Sequence, residues 1–519
     1  MVRILIGNVY SRIVGFLPED VHVALSEMLA YRVQNAHFMP KVRSGEWDGI
    51  VRLYHRHKGQ SFLTGLMSFV RDILTTNGVQ YEIDDRRVVP DKNMPDLKFL
   101  TPDDYEERPY QEFTIERSLQ FTRGVLSVCT GGGKTMIVAR QIAEIKTYPF
   151  IFFVLTKDLM EQAYDVMSTC LNTPIGRIGD GKCDIKHISV CTIQTAIRAI
   201  NSGNSRFKID DYRFDKDDKW KEKGIESQEK AEKIRKLIRL SQGLYLDECH
   251  HAAARTVKEV LTAAENAYWR FAGSATPYRE SGDDIMIQAL FGAKIVDISA
   301  SYLIKEGYLL RPDIIVEPVT EKLSRKAHSY GKVYKTAISG NDTFNMHVAE
   351  TANFLVGKGL SVLVLVQQYK QGDYLKKLIP NSVFVTGRMT GKARKSNINK
   401  LRSGEIRCMI ATSLADEGLD IPTLDVALLA GGGASSTRTS QRIGRTLRKP
   451  KGSKQSYSMV IVYEHQVKYL EDHNKKVLSM LKREPEFRIH YSRGPEFIFD
   501  EIEEILGERA PSEQLFPLS

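Results

Sequence analysis

The sequence predicts an α/β protein with two tandem parallel-sheet domains, a small α+β domain before them and a short helical extension after them. Three observations predict it. Short aliphatic or β-branched runs alternate with helical stretches from about residue 105 to 465. The runs fall into two series, 124–128, 150–155, 187–192, 243–247 and 269–273, then 361–366, 382–385, 407–411, 425–430 and 456–462. Most are followed by Gly, Ser, Thr or Asp, as expected for strands buried on both faces and joined by helices. The break between the series lies near 296–312, before Pro312. A chain of 519 residues also exceeds what one hydrophobic core normally holds.

This divides the chain into an accessory domain at 1–100, a first α/β domain at 101–297, a second at 298–465 and an extension at 466–519. The first hundred residues lack a βαβ rhythm. A hairpin is expected around Ser44–Gly49, with 37–43 and 50–55 as its arms, followed by a helix over 63–77. The Pro- and charge-rich stretch 84–108 reads as a linker. Within the first α/β domain, 205–240 carries 12 Lys/Arg and 9 Asp/Glu and reads as a solvated helical excursion.

Composition narrows the function classes. A hydrophobic share of 42% and a charged share of 27% exclude disordered, collagenous and coiled-coil proteins. The net charge of +10 permits a polyanionic partner without requiring one. No apolar run approaches the roughly 20 residues of a membrane span, and no leader pattern is expected at the N-terminus. Six scattered cysteines without a CxxC pair argue against a zinc ribbon, a disulfide framework or an iron–sulfur site. They suit a reducing, cytoplasmic setting.

Two segments carry chemistry. Thr130, Gly131, Gly132, Gly133, Lys134 and Thr135 follow a strand and open a helix. Glycines let backbone N–H groups converge on an anion, and the helix N-terminus adds its positive end. Lys134 is placed to reach the β/γ-phosphates of a nucleotide, and the Thr135 hydroxyl to ligate Mg²⁺. Val128 stands where the strict phosphate-loop pattern has its first glycine. The second segment is a buried strand ending in Asp247 and Glu248, followed by Cys249 and His250. Carboxylates are costly there unless they serve a cation or a proton. Asp247 suits the Mg²⁺ shell, Glu248 an attacking water, and His250 a coupling hydrogen bond rather than zinc.

These segments and their order resemble superfamily 2 helicases and translocases. The match runs through Arg108-Pro-Tyr110-Gln111, Thr130 to Thr135, Leu155-Thr156-Lys157, Thr192-Ile-Gln194-Thr195, Asp247 to His250 and Gly273-Ser-Ala-Thr276. It continues through Thr412 to Asp420 and Gln441-Arg442-Ile-Gly444-Arg445-Thr-Leu-Arg448, covering about residues 105–465. The resemblance implies two RecA-like domains with ATP and Mg²⁺ between them. It implies an adenine-reading segment with Arg108 and Gln111, coupling through Ser274 and Thr276, and nucleotide contacts from Gly418 and Asp420. It also implies catalytic roles for Gln441, Arg442 and Arg445, the two arginines acting as fingers on the γ-phosphate.

DECH in place of DEAD, and QRIGRTLR at 441–448, point away from DEAD-box RNA helicases. The run 38–53 with the helix after it is similar to the accessory domain of phage branch-migration helicases. That implies remodelling of branched DNA (Holliday junctions, stalled forks, D-loops or R-loops) in phage recombination, replication or repair, by a monomer in the host cytoplasm. An RNA helicase and a motor subunit of a larger DNA-processing complex stay as alternatives. Backbone contacts to nucleic acid are implied for Thr156, Lys157, Thr192 and Thr412. Locally basic stretches at 387–404, which includes Arg388, and at 438–454 are candidate phosphate contacts. Trp47 has two readings, a wedge or stacking residue for DNA, or a residue packed against its own domain.

Overall fold

The computed structural model describes residues 1–102, 106–202, 224–276, 284–319, 329–412, 424–432, 443–444, 446–447, 457–467 and 469–508. These residues form two compact units. One joins Met1–Val128 to Gly133–Asp297, and the other joins Cys129–Gly132 to Ile298–Ser519. Among the described residues, no helix is long and apolar enough to cross a membrane.

The first unit contains two sheets. The N-terminal one uses β1 (Val2–Ile6), β2 (Tyr10–Val14), β5 (Tyr54–His55), β6 (Ser61–Leu63) and β7 (Tyr81–Asp85), in the order β5-β6-β2-β1-β7. Alternation along β1 and β2 buries Val2, Ile4 and Ile13 against the helices Glu19–Met28 and Met67–Thr76, around Phe62 and Leu66. The latter helix falls where the sequence places one.

The expected hairpin does not form between 37–43 and 50–55. Instead β4 (Ile50–Arg52) pairs antiparallel with β3 (Ala30–Arg32). The residues between them fold into a 3₁₀ turn at Ala36–Phe38 and a helical turn at Pro40–Arg43. Pro40 explains this: it has no N–H to give a ladder, and its fixed φ suits the first helical position.

The second sheet is the first α/β domain. Its strands are β8 (Arg123–Val128), β9 (Phe150–Val154), β10 (Ile175–Gly179), β11 (Lys182–Asp184), β12 (Ile188–Thr192), β13 (Gly243–Asp247), β14 (Trp269–Ser274) and β15 (Lys294–Ile298). The order is β11-β10-β12-β9-β13-β14-β8-β15. From β10 to β8 every pairing is parallel, so the strand ends that carry the motifs share one edge.

The stretch read as a linker is fastened down instead. Met94 N donates to the Lys146 carbonyl at 3.0 Å, and Lys98 N to Asn172 Oδ1 at 2.7 Å. The charged stretch divides: 203–223 lie outside the described residues, and Gly224–Leu240 is a helix. That helix is not merely solvated, because Ile234, Leu237 and Ile238 are buried in the domain core.

Two further contacts hold the N-terminal domain to this one. Arg123 Nη2 donates to the Asn8 carbonyl at 2.8 Å. Gly65 lies against the helix Asp284–Phe291 so closely that a Cβ there would meet the Gln288 carbonyl at 2.0 Å.

In the second unit, β16 (Asp313–Val319), β17 (Val362–Val366), β18 (Ser382–Val385), β19 (Cys408–Thr412), β20 (Val426–Leu429), β21 (Met459–His465) and β22 (Arg488–Tyr491) form one sheet. Its order is β18-β19-β17-β20-β21-β16-β22, and each neighbouring pair is parallel. The segment after residue 465 supplies the edge strand β22 and the helices Leu470–Leu481 and Ile498–Glu508. Leu470, Ile498 and Ile502 enter the same core as β16 and β17, so these residues are integral to the sheet domain.

Candidate nucleotide site

The loop after β8 turns through two left-handed glycines, Gly131 at φ 87° and Gly133 at φ 76°, before the helix Lys134–Ile145 begins. L side chains rarely adopt that conformation, so glycine is needed at both positions. Space is also short, since a Cβ on Gly133 would lie 2.8 Å from Gln111 Nε2. Gln111, 2% exposed, is thereby seated beside the loop that its segment was expected to serve. Its Oε1 accepts from Arg108 N at 3.3 Å, which fixes the start of the helix Pro109–Phe121. Lys134 Nζ donates to the Val128 carbonyl at 3.3 Å, folding the lysine back over its own loop. Thr135 is half-exposed on the first turn of the same helix, and Thr130 and Gly132 lie in the loop itself.

β13 delivers Asp247 and Glu248 to the same sheet edge. Glu248 sits in the left-handed region at φ 52°, a conformation costing a non-glycine residue about 1 kcal/mol or more and typical of functional sites. The two carboxyls are driven apart electrostatically. Burial and the neighbouring Glu248 charge push Asp247 up to about 7, against the pull of Lys134. Burial acts on Glu248 as well, but the His250 hydrogen bond, the Lys134 charge and Ser274 together outweigh it and hold that carboxyl below the usual range.

The partners of Glu248 form a compact network. Ser274 Oγ donates to Glu248 Oε2 at 3.1 Å and accepts from Thr276 N at 3.2 Å. His250 Nδ1 lies 3.2 Å from Ser274 Oγ and 3.3 Å from Glu248 Oε2. With the Ser274 hydrogen committed to the carboxylate, the nitrogen facing both oxygens must carry a hydrogen itself. The three expected coupling residues are therefore brought together on Glu248. Thr276 Oγ1 is buried without a hydrogen-bond partner among the described residues.

Two residues not singled out in the sequence shape this edge. Tyr245 stacks on Phe152, ring centroids 4.9 Å apart, and its hydroxyl points at Gly273. Arg270, 1% exposed, donates to the Leu261 carbonyl at 2.7 Å and the Ala264 carbonyl at 3.0 Å, closing the helix Arg255–Ala263. A lone arginine inside the apolar strand Trp269–Ser274 was the available signal for the second. The Tyr245–Gly273 pairing needs strand register, which sequence does not carry.

The residues implied to touch nucleic acid are spread differently. Thr156 caps the helix Lys157–Cys170 by accepting from Leu159 N at 3.3 Å, and Lys157 pairs with Asp180. Thr192 is 4% exposed, caps the helix Ile193–Asn201 and donates its hydroxyl to Thr195 Oγ1 at 2.9 Å. Its side chain is thus occupied within the fold. Thr412 is buried at the end of β19, its Oγ1 without a partner among the described residues. Arg388 is exposed, its guanidinium 4.3 Å from the Tyr369 ring centroid. Trp47 is half-buried and donates Nε1–H to the Ile50 carbonyl at 3.0 Å. Gly418, Asp420, Gln441, Arg442 and Arg445 lie outside the described residues, as do 448–454 of the second basic stretch.

The donor set of the first unit fits a nucleoside triphosphate with a divalent cation. The loop needs left-handed glycines at 131 and 133, which open its backbone to an anion, and Asp247 carries a carboxyl whose ionised form a cation would stabilise. Thr135 and Asp247 offer two oxygen ligands, a number Mg²⁺ accepts alongside water and phosphate oxygens.

Comparisons with known proteins agree with the order of these parts. Residues 104–279 match the model of the type III restriction enzyme res subunit, and 347–450 match that of the helicase conserved C-terminal domain. The ATP-dependent DNA helicase UvsW of Enterobacteria phage T4 is 23% identical over 465 residues, covering 83% of this chain and 84% of that protein. The DNA 3'-5' translocase XPB2 of Sulfurisphaera tokodaii is 24% identical over 391 residues, covering 67% and 80%. The chain spans about half the length of other curated relatives it matches, 44% and 50% for two of them. Among solved structures, S. cerevisiae Dbp5 bound to RNA and ADP BeF3 superposes with a TM-score of 0.52 at 15% identity, over 78% of this chain and 93% of that one. That likeness is one of fold. The two family models follow one another in the order of the two sheet domains, so the chain carries the two-part helicase arrangement and is similar to superfamily 2 helicases.

Proposed function

We propose that this protein hydrolyses ATP to translocate on DNA and remodel branched structures such as Holliday junctions, forks, D-loops or R-loops. The observation that carries the catalytic part is geometric: β13 ends in Asp247 and Glu248 at the sheet edge that carries the Lys134 loop, with Glu248 Oε2 3.1 Å from Ser274 Oγ and 3.3 Å from His250 Nδ1. Glu248 orients and deprotonates the attacking water. Asp247, with Thr135, holds Mg²⁺, which when bound neutralises phosphate charge. Lys134 turns from the Val128 carbonyl to the β/γ-phosphates, while Gln111 and Arg108 read the base. By the resemblance to superfamily 2 helicases, Arg442 and Arg445, with Gln441, act on the γ-phosphate, and Gly418 and Asp420 contact the nucleotide.

DNA as substrate is supported by similarity to UvsW, an ATP-dependent DNA helicase, and XPB2, a DNA 3'-5' translocase, and branched DNA by similarity to UvsW over most of the chain. The domain limits 1–100, 101–297 and 298–465, with the residues after 465 completing the last of these, belong to the same reading, as do a monomeric state and residence in the host cytoplasm. The test is ATPase and unwinding on single strand, duplex, fork, four-way junction, R-loop and RNA. Wild type should respond most to branched DNA. Glu248→Gln should lose about 10²- to 10⁴-fold in turnover while keeping DNA binding. Full turnover in that variant removes Glu248 from the base role, and a response confined to RNA overturns the DNA reading.

A further inference from the structure

The N-terminal domain carries a second aromatic that its sequence did not mark. Phe38 is 63% exposed and Met39 beside it 40%, whereas Trp47 is half-buried and tied to its own turn. Single exposed apolar residues are common and by themselves need no explanation. This one is held in place. Val33 N donates to the Gly49 carbonyl at 2.9 Å, closing the excursion between β3 and β4 at its base. Buried Ala36 fills that base, where a Cβ on Gly49 would meet the Ala36 Cβ at 2.9 Å. Phe38 N donates to the Asn35 carbonyl at 3.0 Å, with Asn35 in the left-handed conformation that turns the chain.

The ring is also flanked by cationic and aromatic neighbours. The His37 ring lies 4.1 Å away, centroid to centroid, and the Arg43 guanidinium 5.9 Å from the Phe38 centroid. Arg43 Nε donates to the His37 carbonyl at 3.4 Å. Residues 30–60 hold six Lys/Arg against two Asp/Glu. Of the six, Arg52 pairs with Asp48 and Arg56 with Glu19. An exposed ring on an anchored turn, in a net positive setting, matches a ligand with a flat π-face and a negative backbone.

We propose that Phe38 is a stacking platform for an unpaired nucleobase at an opened duplex end, with Lys41 and Arg43 holding the adjoining phosphates. The assignment rests on the DNA reading above and moves the stacking role from Trp47 to Phe38. A base leaving its duplex loses stacking, and an exposed ring restores it without regard to sequence. Because the N-terminal domain is fastened to the first α/β domain through Arg123 and Gly65, the platform travels with that domain.

The test uses the full chain with forked and blunt duplexes. Phe38→Ala should weaken fork binding about ten-fold or more, leave blunt-duplex binding and ATPase without DNA unchanged, and slow fork unwinding. Phe38→Trp should retain fork binding. A fork with 5-iodouracil at the first unpaired position should photocrosslink to Phe38. Fork affinity of Phe38→Ala equal to wild type, or a crosslink that maps to Trp47, overturns the proposal. Absence of DNA-stimulated ATPase in the wild type would instead overturn the function on which it rests.

Discussion

Replacing Gly273 with alanine should damage the first α/β domain and the coupling of its chemistry to unwinding together. The new Cβ would stand 1.8 Å from the Tyr245 hydroxyl and 2.9 Å from Cζ, against the roughly 3.5–4.0 Å of a relaxed contact. Tyr245 has nowhere to go, being 1% exposed with its ring stacked on Phe152. Either the ring or β14 must shift, and overpacking of this kind costs about 1–3 kcal/mol. Ser274 is the next residue, so a shift of β14 also loosens its 3.1 Å bond to Glu248. Tyr245→Phe supplies the internal check. That hydroxyl is buried without a hydrogen-bond partner among the described residues, so removing it should be neutral or stabilise slightly. Combined with Gly273→Ala it removes the worst overlap but leaves the ring carbon, so part of the loss should return. Denaturant unfolding of the wild type, both single variants and the double variant gives the coupling energy, expected at about 1 kcal/mol or more. Unwinding per ATP hydrolysed, measured on the same four proteins, should follow the same ranking. Gly273→Ala unfolding within about 0.5 kcal/mol of wild type, or Tyr245→Phe failing to lessen its cost, would refute the steric argument.

Two other substitutions test the fold at a distance from the reacting groups. Arg270→Met should destabilise the first unit by about 1–3 kcal/mol in calorimetry, because it strips the Leu261 and Ala264 carbonyls of their donor. His465, 2% exposed, is lowered to about 4 by burial. Its folded value lies below the unfolded one, so its stabilisation is present above about 6.5 and lost as pH falls toward 4. Between pH 7 and pH 5 the second unit should lose about 2 kcal/mol, a loss absent from His465→Gln in parallel urea titrations.

How much of this was legible in sequence depended on what each element needed from its neighbours. The central strands announced themselves, since burial on both faces forces continuous apolar runs such as Phe150–Val154 and Val362–Val366. Some outer strands did not. Ile175–Gly179, next to the edge, contains two glycines, and the edge strands Lys182–Asp184 and Arg488–Tyr491 are short and polar; each exists because a partner strand supplies its hydrogen bonds. The 37–43 arm failed for a local reason visible beforehand, Pro40 at its centre. The phosphate loop and the acidic strand end were legible because their chemistry tolerates few residue types. The network on Glu248 was legible only as a set of names, since a hydrogen bond between Ser274 and Glu248 requires β13 and β14 to be neighbours in register.

That register gives the site a physical logic of its own. Asp247 lies opposite Gly273 in the paired strands, which puts Glu248 and Ser274 one residue beyond it on each side. A carboxylate held ionised by His250, Lys134 and Ser274 grips the Ser274 hydroxyl more strongly than a neutral carboxyl would. On the proposed chemistry Glu248 gains a proton from water during each turnover, and its hold on Ser274 then weakens. Thr276 N is bonded to the same Ser274 oxygen, so a change of charge at one carboxyl reaches the chain beyond β14 through two hydrogen bonds. Ser274→Ala separates this route from catalysis itself. It should leave ATP hydrolysis within a few-fold of wild type, since Lys134 and His250 still hold Glu248 ionised, while unwinding per ATP hydrolysed falls. Equal loss of both activities would mean that Ser274 serves the chemistry rather than its transmission.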